Sequence, residues 1–400
     1  MADGVDSLMY DLGAGKSAIR EVFEQTMELK QQGVTDFWDY SIGNPNVPVR
    51  PEVNDAIRAA LEDYASIDLH GYPPNNGYLT TRQAVAANLN RRFDAHARAG
   101  EIAMTAGCAG AISSTIAATT TAGEEVIIPT PYYAEYRMWV QAYHCNVVEV
   151  PTEPGTFQLD LDAIEEAINP KTRMIIINTP NNPTGAVYTR DSIIALAALL
   201  RRKCKELGQT IYLLSDEPYR EIVYDGAVNP WIAEYYENTI VCYSWSKSLS
   251  LAGERVGYVW VPGTVRHAER VYDAILGAQR VTATVMNSLF NRVIEKCVDL
   301  PAPVEEYDRK RKKLLGGLED IGYDVVHPEG AFYLWVRALE PDDDAFQARA
   351  ANEQRLYVVG SRDFACRSYF RLSYCVSDEC IETSLPAFKR LFESYGGYTW

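Results

Sequence analysis

Apolar residues fall along this chain in two alternating patterns. EEVIIP (124–129), NVVEVP (146–151), TRMIIIN (172–178) and IYLLSDE (211–217) are short runs rich in branched side chains and predict buried strands. TIVCYSWS (239–246) and GERVGYVWV (253–261) predict two more. Between them, at 160–168 and 190–206, apolar residues recur with helical spacing. Upstream, 17–31 predicts an amphipathic helix capped by Ser17, and 51–64 a helix with Pro51 near its first turn. HGYPPNNGYLT (70–80) excludes regular structure, and helix resumes through TTRQAVAANLNRRFDA. Strands alternating with helices imply a mostly parallel sheet covered on both faces. Beyond about residue 265 the pattern turns helix-rich to roughly 320. GAFYLWV (330–336) and FRLSYCV (370–376) then predict antiparallel strands, with a last helix over 378–394. The expected architecture is α/β, with a large domain over 48–300 and a smaller α+β domain from 1–47 and 301–400.

Composition narrows the partners. Among 400 residues, 38 Lys and Arg stand against 54 Asp and Glu, a net charge of −16 with no basic tract, which argues against nucleic acid. Of the eight cysteines none forms a CxxC pair, and no Cys/His cluster has zinc spacing, so no metal is expected and a reducing compartment is. MADGVDSLMY lacks the apolar stretch of a signal peptide, and no run reaches membrane-spanning length, so the expected location is the cytoplasm. GAGKS lacks the phosphate-loop glycine five positions before Gly15, where Tyr10 stands.

The candidate chemistry sits at predicted strand ends. Lys247 falls between two core-like strands. It is either a solvated loop lysine or a partly desolvated nucleophile able to form a Schiff base. Asp216 ends IYLLSDE; it caps or pairs locally, or holds a pyridine nitrogen protonated. Pyridoxal phosphate requires both partners. Its phosphate has two candidate anchors. One is the small-residue turn MTAGCAGAI (104–112), carrying Gly107, Cys108 and Ala109, whose amides can cradle an anion unless the small residues serve only tight packing. The other is the loop with Ser244, Ser246 and Arg255, where Arg255 pairs with phosphate or makes a structural salt bridge. Asn182, in NTPNNPTG, and Tyr219 can both donate to the phenolate oxygen of the ring, and an aromatic of PYYAEY (131–136) can stack on it. Arg371, on strand FRLSYCV, offers a guanidinium to a substrate carboxylate, or forms a buried ion pair.

NNPTG, SDEPY, SWSKSLSLAGERVG and FRLSY, in that order, resemble fold-type I pyridoxal-phosphate enzymes of the class I/II aminotransferase family, the aspartate aminotransferase relatives. The resemblance spans nearly the whole chain. It implies a homodimer with active sites at the subunit interface, and L-amino acid and 2-oxo acid substrates. It maps Lys247 to the cofactor-bearing lysine, Asp216 to the pyridine nitrogen, Asn182 and Tyr219 to the ring oxygen, and Tyr133 rather than Tyr132 to the stacking ring. Gly107, Cys108, Ala109, Ser244, Ser246 and Arg255 fall around the phosphate, and Tyr72 resembles the tyrosine lent to the neighbouring subunit's phosphate. Gly43 and Arg371, with Asn182, resemble the receivers of the substrate α-carboxylate. Cys108-Ala109 departs from the usual pair on that turn. The implied reaction is transamination, with aspartate and 2-oxoglutarate as the expected pair and Arg280 as a candidate second cation. Elimination of the C–S lyase or aminocyclopropane-carboxylate synthase type, aspartate β-decarboxylation, aromatic or alanine transamination, and a non-catalytic sensor domain are the competing readings.

Overall fold

The apolar runs assemble into one twisted sheet. A computed structural model describes residues 4–15, 18–282 and 286–398. Its seven-stranded sheet comprises β1 (Ile102–Thr105), β2 (Glu125–Thr130), β3 (Asn146–Pro151), β4 (Thr172–Asn178), β5 (Tyr212–Asp216), β6 (Thr239–Ser244) and β7 (Gly257–Trp260). The spatial order is β1-β7-β6-β5-β4-β2-β3. Only β7 runs antiparallel to its neighbours β1 and β6; the other pairings are parallel. Because β7 reverses against both, β1 runs the same way as β4, β5 and β6. Their C-terminal ends therefore share one edge of the sheet, where open α/β sheets place their sites.

Alternation along β4 shows how the sheet is buried on both faces. Met174 and Ile176 pack with Ile112, Ile116 and Ile275, under helices Gly107–Thr119 and Ala268–Thr282. Ile175 and Ile177 pack on the other face with Ile164, Ile193 and Leu196, under helices Leu161–Ala167 and Arg190–Leu207. Each such side chain contributes about 1.5–3 kcal/mol on full burial.

A second, four-stranded antiparallel sheet is formed by β8 (Val325–Val326), β9 (Tyr333–Arg337), β10 (Val359–Gly360) and β11 (Tyr369–Ser373), in the order β10-β11-β9-β8. Phe370 and Leu372 point into an apolar cluster with Leu314, Leu318, Phe388 and Leu391 of helices Val304–Ile321 and Asp378–Tyr395. Tyr219 and Ile222, which follow β5, enter the same cluster. The amide of Ser373 donates to the carbonyl of Tyr40 (3.0 Å), which ties the segment leading to Gly43 against β11.

Some elements differ from the sequence reading. Helix Ala18–Gln31 begins where expected, but its proposed cap, Ser17, lies outside the described residues. An unpredicted helix, Ser7–Ala14, precedes it, capped by Asp6, which accepts from the amide of Met9. It has no buried residue, so its sequence carries no core-facing stripe to read. TIVCYSWS stops being strand at Ser244, and Trp245–Ser248 forms a single helical turn. The pairing partner explains this: Ser244 stands opposite Gly257, the first residue of β7. The chain before Gly257 turns instead, with Ser250 and Arg255 at positive φ. Among the described residues no helix is long and apolar enough to cross a membrane.

Candidate active site

A cleft of about 570 Å³ opens where the C-terminal ends of β4, β5 and β6 face β11. At one end lies the start of helix Gly107–Thr119, which follows β1. Gly107 has φ +70°, and a Cβ there would stand 2.8 Å from the Arg255 guanidinium. A side chain at this position would displace the arginine, so glycine serves both the backbone turn and the close approach. Arg255 donates to the carbonyls of Ala252 (3.1 Å) and Ala106 (3.2 Å) and faces the cleft beside Ser244 and Ser246. Helix-start amides, two hydroxyls and a guanidinium together make an anion receptor.

Deeper in, Asp216 is buried at the end of β5. The Cys108 thiol donates to Oδ1 (2.7 Å) and the Tyr136 hydroxyl to Oδ2. Burial pushes the Asp216 carboxyl up to about 6, while these two donors hold it down. Asn178, ending β4, donates to the Asp216 carbonyl (2.9 Å) and accepts from the Asn182 amide (2.8 Å), which pins the NNPTG loop to β5. Lys247, on the helical turn after β6, donates to the Gly43 carbonyl (2.7 Å). Burial lowers its ammonium to about 8; Cys375 and Asp216 oppose the shift, and the Arg371 and Arg255 charges reinforce it. The cleft thus holds a lysine much closer to its free-amine form than a surface lysine at neutral pH.

Arg371 forms the opposite wall. It is 1 % exposed, donates to Asn182 Oδ1 (3.0 Å) and the Ser41 carbonyl (2.6 Å), and leaves its Nε without a partner. No carboxylate pairs with it among the described residues, and burial pulls its pKa below the ordinary arginine value. A buried guanidinium with a vacant N–H, facing a cleft, can receive a carboxylate. The Tyr333 ring lies 4.5 Å from the guanidinium carbon, and its hydroxyl meets that of Tyr219 at 2.9 Å. Gly43 is required here, since a Cβ would lie 1.9 Å from the Tyr333 hydroxyl.

Gly43, Cys108, Ala109, Tyr133, Asn182 and Tyr219 therefore line a single cavity with Asp216, Ser244, Ser246, Lys247, Arg255 and Arg371; Gly107 stands behind Arg255 and does not line it. Tyr132 does not; it turns away to bond Glu149 (2.7 Å). Tyr72 is 93 % exposed and Arg280 is exposed on helix Ala268–Thr282, and neither lines the cleft of its own chain. Sequence reasoning missed Ser41, Tyr136, Asn178 and Tyr333. Tyr136 and Tyr333 each lie within a stretch the sequence singled out, PYYAEY and GAFYLWV, but which aromatic turns to the cleft is decided by packing.

Residues 35–388 match the family profile described as aminotransferase class I and II. The chain belongs to this family of fold-type I pyridoxal-phosphate aminotransferases. It is 31% identical over 388 residues to the aspartate/prephenate aminotransferase of Thermus thermophilus, covering 94% of this chain and 96% of that protein. It is 29% identical over 394 residues to aromatic-amino-acid aminotransferase 2 of Thermococcus litoralis, covering 94% and 96%. A crystal structure of an amino transferase from Eubacterium rectale superposes with a TM-score of 0.93 at 44% identity, over 98% of this chain and 99% of that one. The Thermus thermophilus aspartate aminotransferase with maleate superposes at 0.87 and 29% identity, over 97% and 99%. The chain is thus an aminotransferase, with an amino acid and a 2-oxo acid as its substrates. The cleft suits the family's cofactor: a depressed lysine for an aldehyde, a buried carboxylate for a ring nitrogen and an anion receptor for a phosphate.

Proposed function

We propose that Lys247 carries pyridoxal phosphate, and that the protein moves the amino group of aspartate to 2-oxoglutarate. The observation that carries this reading is the placement of the Lys247 amine, the Asp216 carboxylate and the carboxylate-free Arg371 guanidinium around one cleft. When bound, the cofactor supplies an electron sink for a carbanion at the substrate's α-carbon. Arg371 and the Asn182 side chain receive the substrate α-carboxylate and fix the α-carbon near Lys247. Lys247, as free amine, would take the α-proton on Nζ; such positioned proton transfer is worth roughly 10²–10⁴-fold. Asp216 would hold a proton at the ring nitrogen, and the Tyr219 hydroxyl and Asn182 side-chain amide would donate to the ring oxygen. Arg255, Ser244, Ser246 and the amides of Cys108 and Ala109 would hold the phosphate, and Tyr133 would cover the ring. A ping-pong cycle follows, because the amino group rests on the enzyme between substrates.

The same proposal includes a homodimer with shared sites, in which Tyr72 serves the partner's phosphate. Its support is a tyrosine almost fully exposed on the Pro/Asn/Gly loop and absent from its own cleft. We further take 48–300 as the large domain, and 1–47 with 301–400 as the small one. The support is the apolar cluster that helices Val304–Ile321 and Asp378–Tyr395 build over the second sheet, which the large sheet's own helices do not enter and which Tyr219 and Ile222 join only from the segment after β5.

The test is a screen of amino acids with and without 2-oxoglutarate. Glutamate formed only when donor and acceptor are both present is the expected result. Product released from an amino acid without any acceptor would replace the reading with a lyase or decarboxylase of this family.

A further inference from the structure

Tyr219 has a role in the proposal above, on which the present one rests; Tyr333 has none. Tyr333 stands on β9, buried, and lines the cleft together with Tyr219. Three contacts hold it there. Its ring meets that of Tyr219 edge to face, with centroids 5.9 Å apart. Arg371 lies over its ring, and a Cβ at Gly43 would strike its hydroxyl. The two hydroxyls meet at 2.9 Å, and among the described residues neither has a second hydrogen-bond partner. Burial holds both phenols above their ordinary pKa, so each keeps its proton at neutral pH. The charged or titratable groups facing the pair are Arg371 from β11, Cys375 just beyond that strand, and Tyr133 from the segment after β2.

The supply of protons and acceptors orders this contact. A hydroxyl has one proton to give. If Tyr219 gave its proton to Tyr333, the Tyr333 proton would be buried without an acceptor, at a cost of about 1–3 kcal/mol. Tyr219 would then have nothing to offer the cofactor's ring oxygen. In the reverse order both protons are used. We infer that Tyr333 is a positioning residue that donates to the Tyr219 oxygen and so turns the Tyr219 proton onto the ring oxygen. A hydroxyl that accepts a hydrogen bond donates a stronger one. Tyr333 therefore draws charge from the ring oxygen through Tyr219. That weakens the oxygen's hold on the proton of the C=N link to Lys247. A second path leads to the same oxygen: Arg371 donates to Asn182 Oδ1 (3.0 Å), which leaves the Asn182 side-chain NH₂ for the ring. The two paths begin side by side, at the guanidinium and the phenol that it covers.

The test is a spectrophotometric pH titration of the cofactor-loaded enzyme, since the C=N link absorbs differently with and without its proton. Wild type, Y333F, Y219F and the double variant are compared. Y333F should hold the proton roughly threefold more tightly, a midpoint about half a pH unit higher. Y219F should hold it roughly tenfold more tightly or beyond, the size of a charge-assisted hydrogen bond. Adding Y333F to Y219F should move the midpoint no further, because Tyr333 acts through Tyr219. Phenylalanine keeps the ring, so a Tyr333 that only packs against Arg371 and Gly43 would leave the midpoint where it was. An unmoved midpoint in Y333F therefore overturns the assignment. So does a lowered one, which would mean that Tyr219 donates to Tyr333, and so does an equal shift in the Y219F background. A titrating band that survives in K247A would sink the placement of the cofactor on Lys247, and the relay with it. The relay fails alone when K247A abolishes the band and Y333F does not move it.

Discussion

At the scale of single residues, the site depends on burial working in opposite senses on two groups. Desolvation disfavours whichever form is charged, so it raises Asp216 toward 6 and lowers Lys247 toward 8. Hydrogen bonding favours the acid more: Cys108 and Tyr136 both donate to Asp216 and hold its carboxyl down, whereas Lys247 has one carbonyl as its partner. Cys375 is the largest charge effect set against the Lys247 shift, but burial holds its own thiol near 12, so it is uncharged at neutral pH and leaves the lysine depressed. In the cofactor-free protein, reductive methylation with formaldehyde should therefore modify Lys247 with a midpoint near pH 8, well below that of exposed lysines. Mass spectrometry of peptides labelled across a pH series reads this directly. With pyridoxal phosphate added, borohydride should fix the cofactor on the same residue and not in K247A. A midpoint above pH 10, or cofactor on another lysine, would remove Lys247 from its assigned role.

At the scale of elements, the sheet edge was legible from sequence and the contacts across it were not. Strand runs ending in Asn178 and Asp216 were visible as apolar stretches closed by polar residues, whereas the run at 239–246 was read two residues too long; alternation in FRLSYCV separates Arg371 from Phe370 and Leu372. The turn after β6 was not legible, because what ends the strand is the register of β7 against it. Nor was the role of Cys108, whose amide position was read from its turn but whose thiol finds Asp216 only once β1 and β5 lie in one sheet. Arg255 shows the same dependence. Its spacing from Lys247 suggested an anion ligand, yet its approach to the helix start needs positive φ at both Arg255 and Gly107. The R255A variant should bind pyridoxal phosphate roughly tenfold to a hundredfold more weakly, since one or two charge-assisted bonds are lost. The absorption band of cofactor once bound should change little, because the ring contacts remain. Unchanged affinity, measured by equilibrium dialysis of the cofactor-free protein, would reduce Arg255 to a loop-stabilising residue that caps two carbonyls.

At the scale of the whole molecule, the phosphate end of the cleft raises the question of what a single chain leaves unfinished. Tyr72 lies in the loop between helices Ser66–Leu69 and Leu79–Phe93, almost wholly exposed, while Leu61, Ile67 and Leu79 nearby also present apolar surface to solvent. Exposed apolar surface of this kind is removed from water when another molecule docks on it. In the proposed homodimer a second copy of the chain would cover it and bring Tyr72 to a foreign cleft, which would make catalysis a property of the pair. Mixed dimers separate this from a role within one chain. A K247A subunit lacks its lysine, and a Y72A subunit lacks the tyrosine it would lend. If Tyr72 crosses the interface, one of the two hybrid sites lacks both groups and the other has both. Hybrids made from two weakly active or inactive parents should then regain up to half the wild-type activity per dimer, with one full site of two. If Tyr72 instead serves its own subunit, each hybrid site lacks one group and no activity returns. Hybrids purified with two different affinity tags, and assayed against each parent at equal cofactor content, decide between the two arrangements.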